Sequence, residues 1–140
     1  MKVLLPVDGS EYTQRVLNYI EEHPELLGPT NDYVAVTCVG RIPGHAASFL
    51  QHEVVERYYR DEAEKVLAPV REFAQRAGLR LTARTAFGQP AEVIAATVEE
   101  EHPELIVMGS HGHSALAGVV LGSVTSGVLA RCKVPVLVVR

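Results

Sequence analysis

The sequence predicts an α/β protein in which a parallel sheet carries helices on both faces. Two observations predict it. Five stretches with strand character are separated by four helical connections, and that succession folds into parallel sheets. Apolar runs such as Val3–Val7 and Leu105–Met108 show no alternation, which fits burial on both faces. The 140 residues are one domain's worth of chain, and 47% hydrophobic with 21% charged residues excludes a disordered or collagen-like chain.

Each element has its own signal. Val3-Leu4-Leu5-Pro6-Val7 is a buried strand that stops at the turn Asp8-Gly9-Ser10. Ser10 is placed to cap the next helix, whose apolar face is Val16, Leu17 and Ile20 and which ends at His23-Pro24. Tyr33–Val39 is the second strand, and Gly40–Ser48 reads as a loop. From Gln51 to Ala77, apolar residues recur every three or four positions, and Gly78 supplies a stop. Pro69 falls inside that helix and should kink or divide it.

Leu79 to Thr85 alternates as a strand does. Pro90 suits the first position of a helix with Ile94, Ala95 and Val98 on its buried face. Leu105–Met108 is the fourth strand, Val124–Cys132 a short helix, and Val134–Val139 the last strand. The hexapeptide EEHPEL occurs twice, at Glu21–Leu26 and Glu100–Leu105, and reads as two similar helix ends before strands.

Composition narrows the function. No basic stripe marks a nucleic-acid surface, and no apolar run reaches the ~20 residues of a membrane span. The N-terminus lacks a signal-peptide pattern, and Cys38 and Cys132 are too few for a disulfide framework, so a cytoplasmic protein is expected. Leu105 to Ala130 contains no Asp, Glu, Lys or Arg.

Within that uncharged stretch stands G-x2-G-x9-G-S: Gly109, Gly112, then Gly122-Ser123. It follows a strand and opens a helix, where glycines admit close backbone approach and free amides face an anion. Neither G-x-x-x-x-G-K-[ST] nor G-x-G-x-x-G is present. Asp8 reads either as a turn cap or as a nucleotide or metal contact. His111 and His113, two apart in a loop without a nearby Cys, do not make a zinc pattern.

With this motif, the opening Pro6-Val7-Asp8-Gly9-Ser10 and the closing Val134–Val139, the whole chain resembles the universal stress protein family, specifically its ATP-binding branch. The resemblance implies a single domain over residues 1–140: a doubly wound, five-stranded parallel sheet in the order 3-2-1-4-5, adenine nucleotide alpha hydrolase-like. It implies a ligand at the carboxyl ends of strands one and four, where the strand order reverses. Asp8 would sit near ribose, phosphates or a nucleotide-bound Mg²⁺ or Mn²⁺. Pro6, Val7 and Val39 would border adenine. Gly109 and Gly112 would lie along ribose and phosphates, and Gly122, Ser123, Val124 and Thr125 would hold the phosphates. Met108, His111 and His113 complete the expected nucleotide site.

Relatives often carry Arg where His113 stands, so this loop lacks a permanent positive charge. Arg41 is the basic residue that another loop could bring to the site. The resemblance implies a homodimer through Val134–Val139 that binds ATP as a stress-response module rather than a fast enzyme. The alternatives are a slow ATPase, a member that binds AMP or cyclic AMP, and a protein acting through its dimer surface alone. The intact glycine motif speaks against the last.

Overall fold

The computed structural model describes residues 1–140. Along the chain run β1 (Lys2–Pro6), α1 (Glu11–Glu22), α2 (Pro24–Leu27), β2 (Asp32–Val39), α3 (Gly44–Ala47), α4 (His52–Arg76), β3 (Arg80–Phe87), α5 (Pro90–Glu101), β4 (Leu105–Gly109), α6 (Ser123–Arg131) and β5 (Val136–Val139). The five strands form one sheet in the order β3-β2-β1-β4-β5, every pair parallel. This is the doubly wound, adenine nucleotide alpha hydrolase-like fold that the family resemblance implies.

Strand parity divides the core into two layers. Val3, Leu5, Ala35, Val39 and Val107 face one side and pack with Val16, Leu17 and Ile20 of α1 and Leu67, Val70 and Phe73 of α4. Leu4, Val34, Val36, Ile106 and Met108 face the other and pack with Ile94 and Val98 of α5 and Val128 of α6. The helices that follow β1 and β2 therefore cover one face, and those that follow β3 and β4 cover the other. The winding changes direction between β1 and β4. Their ladder pairs only Val3 with Leu105 and Leu4 with Ile106, and the carboxyl ends part beyond it.

Several local readings change. Helix α4 is continuous through Pro69 rather than divided there. Pro69 is exposed, so the Lys65 carbonyl it leaves without a donor lies on the solvent side, while buried Leu67, Val70 and Phe73 hold the inner side. Ser10 occupies the N-cap position of α1 without making a side-chain cap bond, and its Oγ is buried without a partner. The Gly40–Ser48 loop contains the single turn α3, and the last strand begins at Val136, after Pro135.

Gly78 does stop α4. It takes φ +67°, and the amides of Gly78 and Leu79 donate to the Gln75 and Ala74 carbonyls, which is a Schellman closure. Both EEHPEL copies end helices, at Glu22 and Glu101. They then diverge. Pro24 starts α2, whereas in the second copy Glu100 and Glu101 bind Arg84 and Glu101 also binds Lys2. No helix is long and apolar enough to cross a membrane.

Candidate functional site

The parting of β1 and β4 leaves a cavity of about 270 Å³. It lies on the α5/α6 side of the sheet, at the carboxyl ends of β1, β2 and β4. Of the thirteen residues expected at a nucleotide, twelve line it: Pro6, Val7, Asp8, Met108, Gly109, His111, Gly112, His113, Gly122, Ser123, Val124 and Thr125. Val39 is the exception. Its side chain is buried in the layer beneath α1 and α4, because odd-numbered β2 residues face that way. Val36 and Cys38, of opposite parity, take the cavity wall instead.

One end of the cavity is polar. Gly122 caps α6 with extended backbone and no side-chain cap, so the amides of Ser123, Val124 and Thr125 have no intrahelical acceptor. Gly122 itself is tied down, its amide donating to the Ser110 carbonyl across 2.7 Å. The Thr125 hydroxyl donates to the Gly109 carbonyl at 2.9 Å, which joins α6 to the end of β4. Val36, Pro90, Ile94 and Met108 supply an apolar part of the lining.

Asp8 is the only carboxylate in the lining, and no Lys or Arg joins it. Its Oδ1 accepts from the Ser10 amide at 2.9 Å and from the Thr13 hydroxyl at 3.1 Å. Thr13 Oγ1 in turn accepts from the amides of Asp8 and Gly9, both at 3.2 Å. The turn-cap reading of Asp8 is therefore realised through one oxygen, and Oδ2 makes no hydrogen bond within the protein. Tyr12 and Thr13 line the cavity and had no signal in the glycine motif. Thr13 was detectable only as the third residue after Ser10, where it replaces the serine as the group that satisfies the turn.

The glycines at 109 and 112 also answer to the protein's own packing. A Cβ on Gly112 would fall inside contact distance of Asp8 Oδ2. A Cβ on Gly109 would stand 2.6 Å from Tyr12 Cβ and 3.2 Å from the His111 carbonyl oxygen. The motif thus lets the loop after β4 close onto the turn after β1.

The two histidines are structural ties at the cavity rim. His113 Nε2 donates to the Asp8 carbonyl at 2.7 Å. His111 Nε2 donates to the Val119 carbonyl at 2.7 Å, so in the neutral ring Nδ1 accepts from the Ser110 hydroxyl at 2.9 Å. That serine–histidine pair does not make a nucleophile, since Ser110 is 2% exposed and lies outside the cavity lining. Burial pushes the Cys38 thiol up to about 11, which leaves it a neutral wall residue near neutrality. Arg41 does not reach the site. It lies over the Phe87 ring in a separate cavity. No three His, Cys, Asp or Glu side chains come together as a metal cluster.

In the comparison to known proteins, the model of the universal stress protein family matches residues 1–140. The chain belongs to the universal stress protein family. A universal stress protein of Bacillus subtilis is 31% identical over 150 residues, covering 99% of this chain and 98% of that protein. One from Synechocystis is 30% identical over 139 residues and 99% of this chain, which spans only 42% of that relative's length.

Among solved structures, a universal stress protein of Methanocaldococcus jannaschii superposes with a TM-score of 0.82 at 25% identity, over 99% of this chain and 94% of that one. Two more distant neighbours share the universal stress protein fold. One is a universal stress protein in complex with cAMP, at TM-score 0.70, 23% identity and coverage of 100% and 97%. The other is an Arabidopsis thaliana member with AMP bound, at TM-score 0.69, 17% identity and coverage of 99% and 90%.

Proposed function

We propose that this chain binds ATP, carried with Mg²⁺ or Mn²⁺, in the crevice between β1 and β4, and that occupancy makes it a nucleotide-dependent stress-response module of the cytoplasm. One observation carries the reading: free amides at the start of α6 and an apolar wall line one and the same cavity. Phosphates suit the amides, and a planar base suits Val36, Ile94 and Met108. The neighbours solved with cAMP and AMP support an adenine nucleotide on this fold.

Residue roles follow. Gly122, Ser123, Val124 and Thr125 hold phosphate. Gly109 and Gly112 border ribose and phosphate, with His111 and His113 shaping that rim. Pro6, Val7 and Met108 flank the base, with Val36 and Cys38 on the β2 side where Val39 was expected. A divalent cation would depend mostly on phosphate oxygens and water, with Asp8 Oδ2 as the one carboxylate oxygen left without a partner. Such a cation would neutralise phosphate charge that no Lys or Arg here offsets. That same lack of bases favours AMP or cyclic AMP as the second reading, since each carries less charge than ATP. Slow ATP hydrolysis is a lesser variant, because the lining holds no paired nucleophile and base.

The test is thermal unfolding with ATP, ATP and Mg²⁺, AMP, cyclic AMP and adenosine, alongside mass spectrometry of any nucleotide released from purified protein. A ligand at ~100 times its dissociation constant stabilises a fold by ~2.7 kcal/mol. ATP with Mg²⁺ should raise the midpoint most. A larger rise with AMP or cyclic AMP would select the second reading. No rise with any of them, in protein shown to carry none, would overturn both.

A further inference from the structure

A second cavity opens at the far side of the sheet, between β3 and α4. Its volume is about 580 Å³, and it shares no lining residue with the crevice. Tyr59 and Phe87 form an aromatic wall, their ring centroids 4.9 Å apart. The Arg41 guanidinium lies 5.7 Å from the Phe87 centroid. Arg60 lines the same space, and neither arginine makes an ion pair or a side-chain hydrogen bond. The two carboxylates there are already engaged, Glu56 by His52 at 2.9 Å and Glu64 by Arg71 at 2.8 Å. Tyr59 Oη accepts from the Ile42 amide at 2.9 Å, which leaves its hydroxyl proton without a partner in the protein.

A single solvated arginine is ordinary surface. Two arginines without ion pairs in the lining of one aromatic-walled cavity form a recognition set. We propose that this cavity binds a small organic monoanion with a planar apolar body, of which an aromatic carboxylic acid is the simplest. The guanidinium groups and the Tyr59 hydroxyl meet the carboxylate, and the ring lies against Tyr59 and Phe87. Glu56 and Glu64 face the same space, so a phosphate dianion meets more repulsion than a monoanion does. The proposal is independent of the nucleotide reading.

The experiment is an amide-resolved NMR titration of the intact chain with benzoate, with benzamide as the uncharged isostere and ATP as a third arm. The Arg41→Gln/Arg60→Gln double variant changes two exposed side chains and is titrated alongside. Benzoate should give saturable shifts confined to the amides around Ile42, Tyr59, Thr85 and Phe87. Benzamide, and benzoate with the double variant, should bind at least about tenfold more weakly. No saturable response to benzoate up to about 20 mM, an equal response to benzamide, or shifts centred on Gly112 and Gly122 would overturn the proposal. Shifts in this cavity with ATP but not benzoate would also overturn it.

Discussion

The imidazole Nε2 of His113 donates to the backbone carbonyl of Asp8, 105 positions earlier in the chain, across 2.7 Å. This bond closes the loop after β4 onto the turn after β1, at the point where the sheet reverses its winding. It uses the Asp8 backbone, so the carboxylate is left to organise its own turn and, in the proposed function, a nucleotide-bound cation.

Asp8 separates those two duties experimentally. Asp8→Ala removes the acceptor for the Ser10 amide and the Thr13 hydroxyl, and should cost about 1–2 kcal/mol of stability. Asp8→Asn keeps an oxygen at that position and should stay within about 0.5 kcal/mol of the parent. Both should weaken ATP binding more with Mg²⁺ than without it. Calorimetry of the two variants, with chemical denaturation as the stability measure, checks this. Identical metal dependence in parent and Asp8→Asn would remove Asp8 from the cation's surroundings.

Gly109 and Gly112 should fail in different ways. At Gly109 an added methyl meets Tyr12 Cβ and the His111 carbonyl, neither of which is a flexible tip. Gly109→Ala should therefore destabilise by about 1–3 kcal/mol. At Gly112 the methyl meets only the Asp8 carboxylate oxygen, an exposed group that swings aside. Gly112→Ala should cost less stability than Gly109→Ala yet lose nucleotide affinity. Melting curves and binding isotherms on the pair distinguish the two outcomes, and equal stability losses would contradict the packing argument.

Cys38 should react slowly. Burial raises its thiol from 9.0 to about 11, so the folded chain holds that proton more tightly than the unfolded chain does. Its contribution to stability is present below pH 9 and is lost as the pH rises from 9 through 11. At pH 8 the thiolate fraction is about a hundredfold below that of an unperturbed thiol. Iodoacetamide labelling of Cys132→Ser, followed by mass spectrometry, should show that deficit in the native state and recover it in denaturant. Native labelling at the unfolded rate would mean that Cys38 is not held in the cavity wall.

The β5 edge tests the homodimer that the family resemblance implies. β5 pairs only with β4, and Val136, Leu137 and Val138 remain partly exposed on this four-residue apolar strand. An open apolar edge invites pairing, and a second copy of the strand meets it with two-fold symmetry. Val138→Asp should turn a dimer into a monomer or an aggregate in sedimentation, while Thr82→Asp on β3 should leave the dimer intact. A parent chain that sediments as a monomer at micromolar concentration would refute the interface.

Much of this protein is legible in its sequence, because the signals for individual elements are local. Apolar runs, three-to-four spacing, Pro90 at a helix start and Gly78 at a helix stop place the major strands and helices, since each depends on a few neighbouring residues. The glycine motif and Asp8 likewise mark the crevice. The order of the strands came from the family resemblance, because no local pattern encodes which strand lies beside which.

Only the tertiary structure decided the rest. Val39 and Cys38 are neighbours in one apolar strand, yet one is buried beneath α1 and α4 and the other lines the crevice. That choice depends on which helices cover each face. Tyr12 matters because Gly109 lies against it, nearly a hundred residues away. Pro69 is tolerated because its missing donor faces solvent, and Arg41 belongs to the second cavity because Phe87 is there to receive it. Parity, long-range contact and the side on which water lies are properties of the packed chain, so spacing along the sequence does not reveal them.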